Sequence, residues 1–183
     1  MIYIHMEKGK LKKQNKRIFY YLAIVSILIL SSCSSKINQH FIKETLGLNI
    51  RLKEKALSWH EDYTTQGEGF SMDVYSFEND KDLNGLAPLN QGYPISYELR
   101  KDWNISTWSN TPFDNEDVLD LLLNYKIDNK EVKLEINRIE KIIKTQNNYI
   151  SYYYKENKGY IYSVDLYILD MEHKKLYICE IIT

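Results

Sequence analysis

The chain has 183 residues, with 24 Lys and Arg against 25 Asp and Glu, a formal charge of −1, and only 2 cysteines. Six of the basic side chains but a single acid, Glu7, lie before Cys33, so the rest carries 18 basic and 24 acidic groups and a net charge near −6. That balance excludes a nucleic-acid partner, whose phosphates call for clustered Lys and Arg, and the roughly 150 residues beyond position 32 suit one domain with one core.

At the start, Lys8, Lys10, Lys12, Lys13, Lys16 and Arg17 precede an apolar run from Ile18 to Leu30. A basic segment followed by a short apolar one is the layout of a secretory signal. The run falls short of the roughly 20 residues a helix needs to cross a bilayer, so a transmembrane anchor is the weaker reading. Met6 opens as good a basic segment as Met1. The run closes on Leu30-Ser31-Ser32-Cys33, which resembles the lipobox of bacterial lipoproteins: a branched apolar residue, two small ones and a cysteine. The resemblance implies that diacylglycerol alkylates the Cys33 thiol and that the peptide is cut just before it. Residues 1–32 are then a signal peptide, 33–39 a lipidated tether and 40–183 a single globular domain. The membrane is a partner through lipid alone, each buried CH₂ contributing about 0.8 kcal/mol. Ser34, in place of an inner-membrane retention aspartate, favours the outer membrane, facing the periplasm, where the host has two membranes.

In chain order, His40 to Leu46 reads as a helical turn or two before Gly47. Phe70, Met72 and Val74 alternate with Ser71, Asp73 and Tyr75, the period-2 pattern of a strand. Asn49 to Tyr63 pairs with it in a hairpin whose loop runs from Thr64 to Gly69, where Gly67 and Gly69 permit a reversal. Asn79 to Gln91 reads as loop. Val118, Leu121, Leu122 and Tyr125 line one face of a helix, with Asp114 as N-cap and Glu116 and Asp117 at the positive end of its dipole. Between Glu131 and Thr145 strand and helix spacings compete, and the second half favours helix. The Tyr-rich stretches "YISYYYK", "GYIYSVDLYILD" and "KLYICEIIT" are three strands, broken at Glu156 to Gly159 and at Met171 to Lys174. The expected class is α+β: an antiparallel sheet with a C-terminal three-stranded meander and at least one packed helix, covered on one face.

Two stretches resemble motifs of small secreted bacterial proteins. "DYTTQGEGF", Asp62 to Phe70, is similar to their Gly-rich hairpin loop, and Leu169-Asp170 with Lys175-Leu176-Tyr177, Glu180 and Thr183 is similar to their closing Leu-Tyr-x-x-Glu hairpin. The loop His of that family is Thr or Gln here, and its penultimate Asp is Ile182. The resemblance implies one compact domain and no particular activity.

Three groups are candidate sites. His60, Glu61 and Asp62 with Glu68 and Asp73 place an imidazole and carboxylates at one end of a hairpin, a set suited to acid-base chemistry or cation binding. Along a strand, His60 and Asp62 share a face that Glu61 does not. Trp103, Trp108, Tyr93 and Tyr97 form a candidate stacking platform for a glycan or protein partner; core packing is the competing reading. Cys179 alternates with Tyr177 and Ile181, which places it in the core, with His173 as the only nearby base. No HExxH helix, Gly-x-Ser-x-Gly elbow or phosphate-binding loop is present, so no cofactor or metal is expected and a binding module is favoured over an enzyme. The alternatives are a hydrolase using His60, Asp62, Glu68 and Asp73, and an immunity or inhibitor lipoprotein whose acidic domain meets a basic toxic partner.

Overall fold

The computed structural model describes residues 42–48, 50–61, 67–78 and 101–183. The chain divides into two compact units, Met1–His40 and Phe41–Thr183, and all described residues belong to the second. Cys33, Asp62, Tyr93, Tyr97 and the expected loop at Asn79 to Gln91 lie outside the described residues.

Among the described residues, six strands form one antiparallel sheet: β1 (Arg51–His60), β2 (Gly69–Glu78), β3 (Asn104–Asn110), β4 (Tyr149–Asn157), β5 (Tyr160–Asp170) and β6 (Lys175–Ile182). Their order is β1-β2-β6-β5-β4-β3. The expected meander is present as β4, β5 and β6, and the expected hairpin as β1 and β2, with β6 hydrogen-bonded to β2. The β4–β5 turn has two residues, Lys158 at φ 53° and Gly159 at φ 84°. Positive φ at both positions matches the right-handed twist of the flanking strands.

Two helices link β3 to β4: α1 (Glu116–Leu123) and α2 (Lys130–Ile142). Asn115, one residue beyond the expected Asp114, caps α1, its side-chain oxygen accepting from the Val118 N–H at 3.2 Å. Asn129 caps α2 in the same way, accepting from Glu131 and Val132, each such cap contributing about 1 kcal/mol. The helix α2 extends through the segment where strand spacing competed. Val132, Ile136, Ile139 and Ile142 form its buried stripe, and Leu134, which suggested a strand, faces solvent at 59% exposure.

The sheet is buried on both faces rather than one. On the first face Phe70, Met72 and Val74 of β2, Ile150 of β4, Val164, Leu166 and Ile168 of β5 and Tyr177, Cys179 and Ile181 of β6 pack with the helices. On the second, Tyr75, Phe77, Tyr153, Tyr167, Leu169 and Leu176 pack with Ile42, Leu46, Leu48 and Ile50 from the segment ahead of β1. Period-2 alternation along β2 gives way because its odd positions from Tyr75 onward are apolar too. In β5 every residue from Ser163 to Asp170 is buried, as befits a central strand covered on both sides. The single expected core is thus two layers separated by the sheet.

Helical residues 42–46 end at Gly47, whose φ of 63° suits a residue without a Cβ. This segment is fastened by the Trp108 Nε1–H, which donates to the Leu46 carbonyl at 2.9 Å, and by the Tyr153 hydroxyl, which donates to the Thr45 carbonyl. Trp108 reaches the second face through an irregularity in β3. Ser106 pairs with Tyr152 and Ser109 with Ile150, so β3 spends one residue more than β4 over that interval. The Ser151 hydroxyl donates to the Ser106 carbonyl at 2.9 Å within the irregular stretch. An extra residue reverses which side the following side chain faces. Both sheet edges are broken in this way, β1 twice, and β1 carries Arg51, Lys53 and Lys55. Irregular, charged edges resist pairing with other chains.

Trp108→Ala is expected to cost about 3 kcal/mol or more, since it opens a cavity and leaves the Leu46 carbonyl without its donor. Urea unfolding measures this against Trp103→Ala, a half-buried ring, for which a smaller loss is expected.

Candidate functional site

The polar end of the second sheet face brings together two members of the expected acid-base cluster, His60 and Asp73. Lys55 and His60 of β1 lie beside Asp73 of β2: the Lys55 ammonium donates to Asp73 Oδ2 at 2.8 Å, and His60 Nε2 stands 3.6 Å from Asp73 Oδ1. The Tyr75 hydroxyl also donates to Asp73 Oδ2, at 3.3 Å. Burial opposes the charge on Lys55, but its bonds to Asp73 and Tyr75 outweigh that and raise its pKa above the ordinary lysine value. Next along the face, the Ser71 hydroxyl donates to Glu180 at 3.2 Å, and Asp165 of β5 is the register partner of Glu180. Glu61 turns the other way, as the strand period requires, and accepts from the Tyr125 hydroxyl at 2.9 Å. Glu68 is exposed.

This arrangement does not form a nucleophilic triad. Ser58 Oγ is 3.3 Å from His60 Nε2, the same nitrogen that faces Asp73. A triad needs the serine on one ring nitrogen and the carboxylate on the other, so that the acid holds the tautomer that accepts the serine proton. Lys55 also donates to Ser58 Oγ, at 3.3 Å, occupying a lone pair without removing a proton. The cleft beside His60, lined by Glu61, Phe70, Ser71, Glu180 and Ile182, holds about 60 Å³. That is room for water and far below the size of a typical ligand pocket.

Cys179 is fully buried in the first core layer, and burial, with Glu180 and Asp73 behind it, pushes its thiol well above the ordinary range. Its expected base is out of reach: His173 precedes β6, and the four residue steps from Lys175 to Cys179 span about 13 Å at the usual rise. A buried thiol kept protonated is inert.

The expected aromatic platform divides between core and edge. Trp108 is 4% exposed and belongs to the second core layer, whereas Trp103 is half-buried with the Lys155 ammonium 4.9 Å above its ring. Packing therefore accounts for Trp108, and the two indoles do not form a shared exposed surface.

A larger cleft lies between the C-terminal half of α2 and the β5–β6 turn, a place the motifs did not indicate. It holds about 410 Å³ and is lined by Arg138, Lys141, Ile142 and Thr145 on the helix side, Asn148 beside β4, and Asp170, Glu172, His173, Lys175 and Tyr177 from the closing hairpin. Its floor is fixed. Asp170, 2% exposed, accepts from the His173 N–H at 3.0 Å and from His173 Nδ1 at 2.8 Å. The Asn148 amide donates to the Ile142 carbonyl and to Thr145 Oγ1, and its oxygen accepts from the Met171 N–H at 3.1 Å. Asp170 followed three residues later by a bonded N–H is a turn signature that composition makes readable. Its meeting with Arg138 and Lys141 is not readable, because it depends on where α2 docks.

Compared with known protein families, curated proteins and solved structures, the chain matches none.

The Tyr125 hydroxyl, pushed up to about 12 by burial and by its bond to Glu61, gives this region a signature in alkali. A raised pKa in the folded state means stability that is complete below the unfolded value near 10 and is lost as pH rises toward 12. Replacing Tyr125 with Phe should flatten that decline relative to the native chain. Urea midpoints taken between these two pH values measure the difference; parallel curves would show that the hydroxyl is not held by Glu61.

Proposed function

We propose that this chain is a lipid-anchored protein of the bacterial cell envelope whose folded unit acts by binding and not by catalysis. The observation that carries the anchoring is the Leu30-Ser31-Ser32-Cys33 sequence behind six basic residues and an apolar run, ahead of a compact unit that begins at Phe41. Alkylation of Cys33 and cleavage before it leave a short polar tether and a domain held at the membrane by acyl chains. Where the host has two membranes, Ser34 directs it to the outer one, facing the periplasm.

The binding role is supported by the geometry around His60. The imidazole presents one nitrogen to both Ser58 and Asp73, Lys55 neutralises the carboxylate, and the adjoining cleft admits little beyond water. General acid-base catalysis contributes about 10²- to 10⁴-fold and only with a positioned partner and a substrate within reach. The net charge near −6 beyond residue 32 suits a protein or small-molecule partner and not a nucleic acid.

Metabolic labelling with an alkyne fatty acid tests the anchor: the native chain should take up label and Cys33→Ser should not. Equal labelling of both would remove the lipoprotein reading. The binding role falls separately if a hydrolytic activity of the purified protein disappears in a His60→Ala variant that remains folded.

A further inference from the structure

We infer that the cleft between α2 and the β5–β6 turn is a binding site for a small organic anion, a carboxylate carried on a short apolar body. This deepens the binding role proposed above and rests on it, by naming a place and a ligand class.

The size is right: about 410 Å³ lies within the range of small-molecule pockets, whereas the cleft at His60 does not. The lining matches such a ligand. Ile142 and the aliphatic stems of Arg138, Lys141 and Lys175 supply apolar wall, and the stems of long cationic side chains are apolar while their heads are not.

The decisive feature is the balance of unspent hydrogen-bonding capacity. On the floor, Asp170 is engaged by His173, and Asn148 has partners for both ends of its amide. Tyr177 donates its hydroxyl to Glu135 at 3.1 Å, and burial with Glu135 keeps it protonated far into the alkaline range. What remains is mostly donors. The Lys141 ammonium is within ion-pair distance of no carboxylate among the described residues. Arg138 pairs with Glu135 through one terminal nitrogen, so most of its five N–H groups are unspent. Lys175 stands 3.5 Å from the same Glu135, a long contact that leaves further donors. His173, held at Nδ1 by Asp170, has Nε2 unbonded and its side chain 63% exposed.

Against these stand three carboxylates, Glu172 and Asp170 of the lining and Glu135 behind it, and the negative end of the α2 dipole. The dipole amounts to about half a charge, and its Ile142 carbonyl already accepts from Asn148 and Thr145. Formal charge is therefore close to balanced, and position is what favours an anion: Asp170 is 2% exposed and held by His173, and Glu135 is bonded by Arg138 and Tyr177, so the groups left to meet a ligand are mainly donors. A carboxylate is the simplest group that accepts from guanidinium and ammonium together, and charge-assisted bonds of that kind are roughly twice as strong as neutral ones.

The test is isothermal titration of the full lipidated chain in lipid nanodiscs, with empty nanodiscs as blank, using hexanoate and hexylamine as probes of equal shape and opposite charge. Hexanoate should bind at one saturable site and hexylamine should not. Lys141→Met and Arg138→Gln, both at exposed helix positions, should each weaken hexanoate by about tenfold, while Lys53→Met on the edge strand β1, outside the lining, should leave it unchanged. Absence of hexanoate binding, equal binding of hexylamine, or affinity indifferent to both cleft variants overturns the assignment. The anchor and the His60 reading are measured by other variants and other readouts, so failure here leaves them to stand or fall on their own.

Discussion

Two hydrogen bonds, from Trp108 Nε1 to the Leu46 carbonyl and from the Tyr153 hydroxyl to the Thr45 carbonyl, hold the segment ahead of β1 against the sheet, and the two-sided core depends on that seat. β5 buries eight consecutive residues, and a strand with apolar groups on both sides must be covered on both sides. The helices α1 and α2 cover one face. On the other, Ile42, Leu46, Leu48 and Ile50 lie over Tyr153, Tyr167, Leu169 and Leu176. A short helix brings bare carbonyls at its C-terminal end, and burying them without donors would cost about 1–3 kcal/mol each. Aromatic side chains supply the donors while their rings fill the layer, so one pair of residues satisfies the backbone and builds the core.

The same partition decides where polarity is tolerated. The second face is apolar where the 42–50 segment lies over it and polar beyond, where Lys55, His60, Ser71, Asp73, Asp165 and Glu180 occupy adjacent strands. Acids stacked across β2, β6 and β5 would repel, and the contacts made by Lys55 with Asp73 and by Ser71 with Glu180 offset part of that. This polar end is therefore satisfied in part from within, with Asp73 Oδ1 buried and without a hydrogen bond, 3.6 Å from His60 Nε2. The cleft by α2 is of the other kind. Its buried acid, Asp170, is engaged by His173, whereas Lys141 has no carboxylate within ion-pair distance among the described residues and Arg138 keeps unspent donors, which is the condition for an anion to find partners that the protein has not already supplied.

Much of the fold was legible because it rests on local periodicity. Phe70, Met72 and Val74 announced β2, the Lys158-Gly159 turn and the Tyr-rich stretches announced the meander, and Val118 with Leu122 announced α1. The departures have particular causes. Asn115 caps α1 in place of Asp114 because its side chain reaches the Val118 N–H, a difference of one position. Leu134 imitated a strand because one apolar residue on the outer face of α2 is enough to disturb a helical count. The second core layer escaped notice because the residues covering it come from a stretch too short to show a period. Of the candidate site, the meeting of His60 with Asp73 followed from hairpin register, whereas the joining of Glu180 to Ser71 required β6 to insert beside β2.

The sequence by itself determined the charge balance, the lipobox-like segment, the strands of the meander, the first hairpin and the amphipathic face of α1. All of these are encoded within a dozen or so neighbouring residues, where side-chain period and turn chemistry act directly. Only the tertiary structure decided that Trp108 faces Leu46, that His60 offers a single nitrogen to two partners, and that Arg138, Lys141, His173 and Lys175 surround one cleft. The first follows from an irregularity that reverses the facing of one strand, and the others from elements far apart in the chain meeting at a fixed register. Such outcomes depend on how layers dock, and no local pattern carries that information.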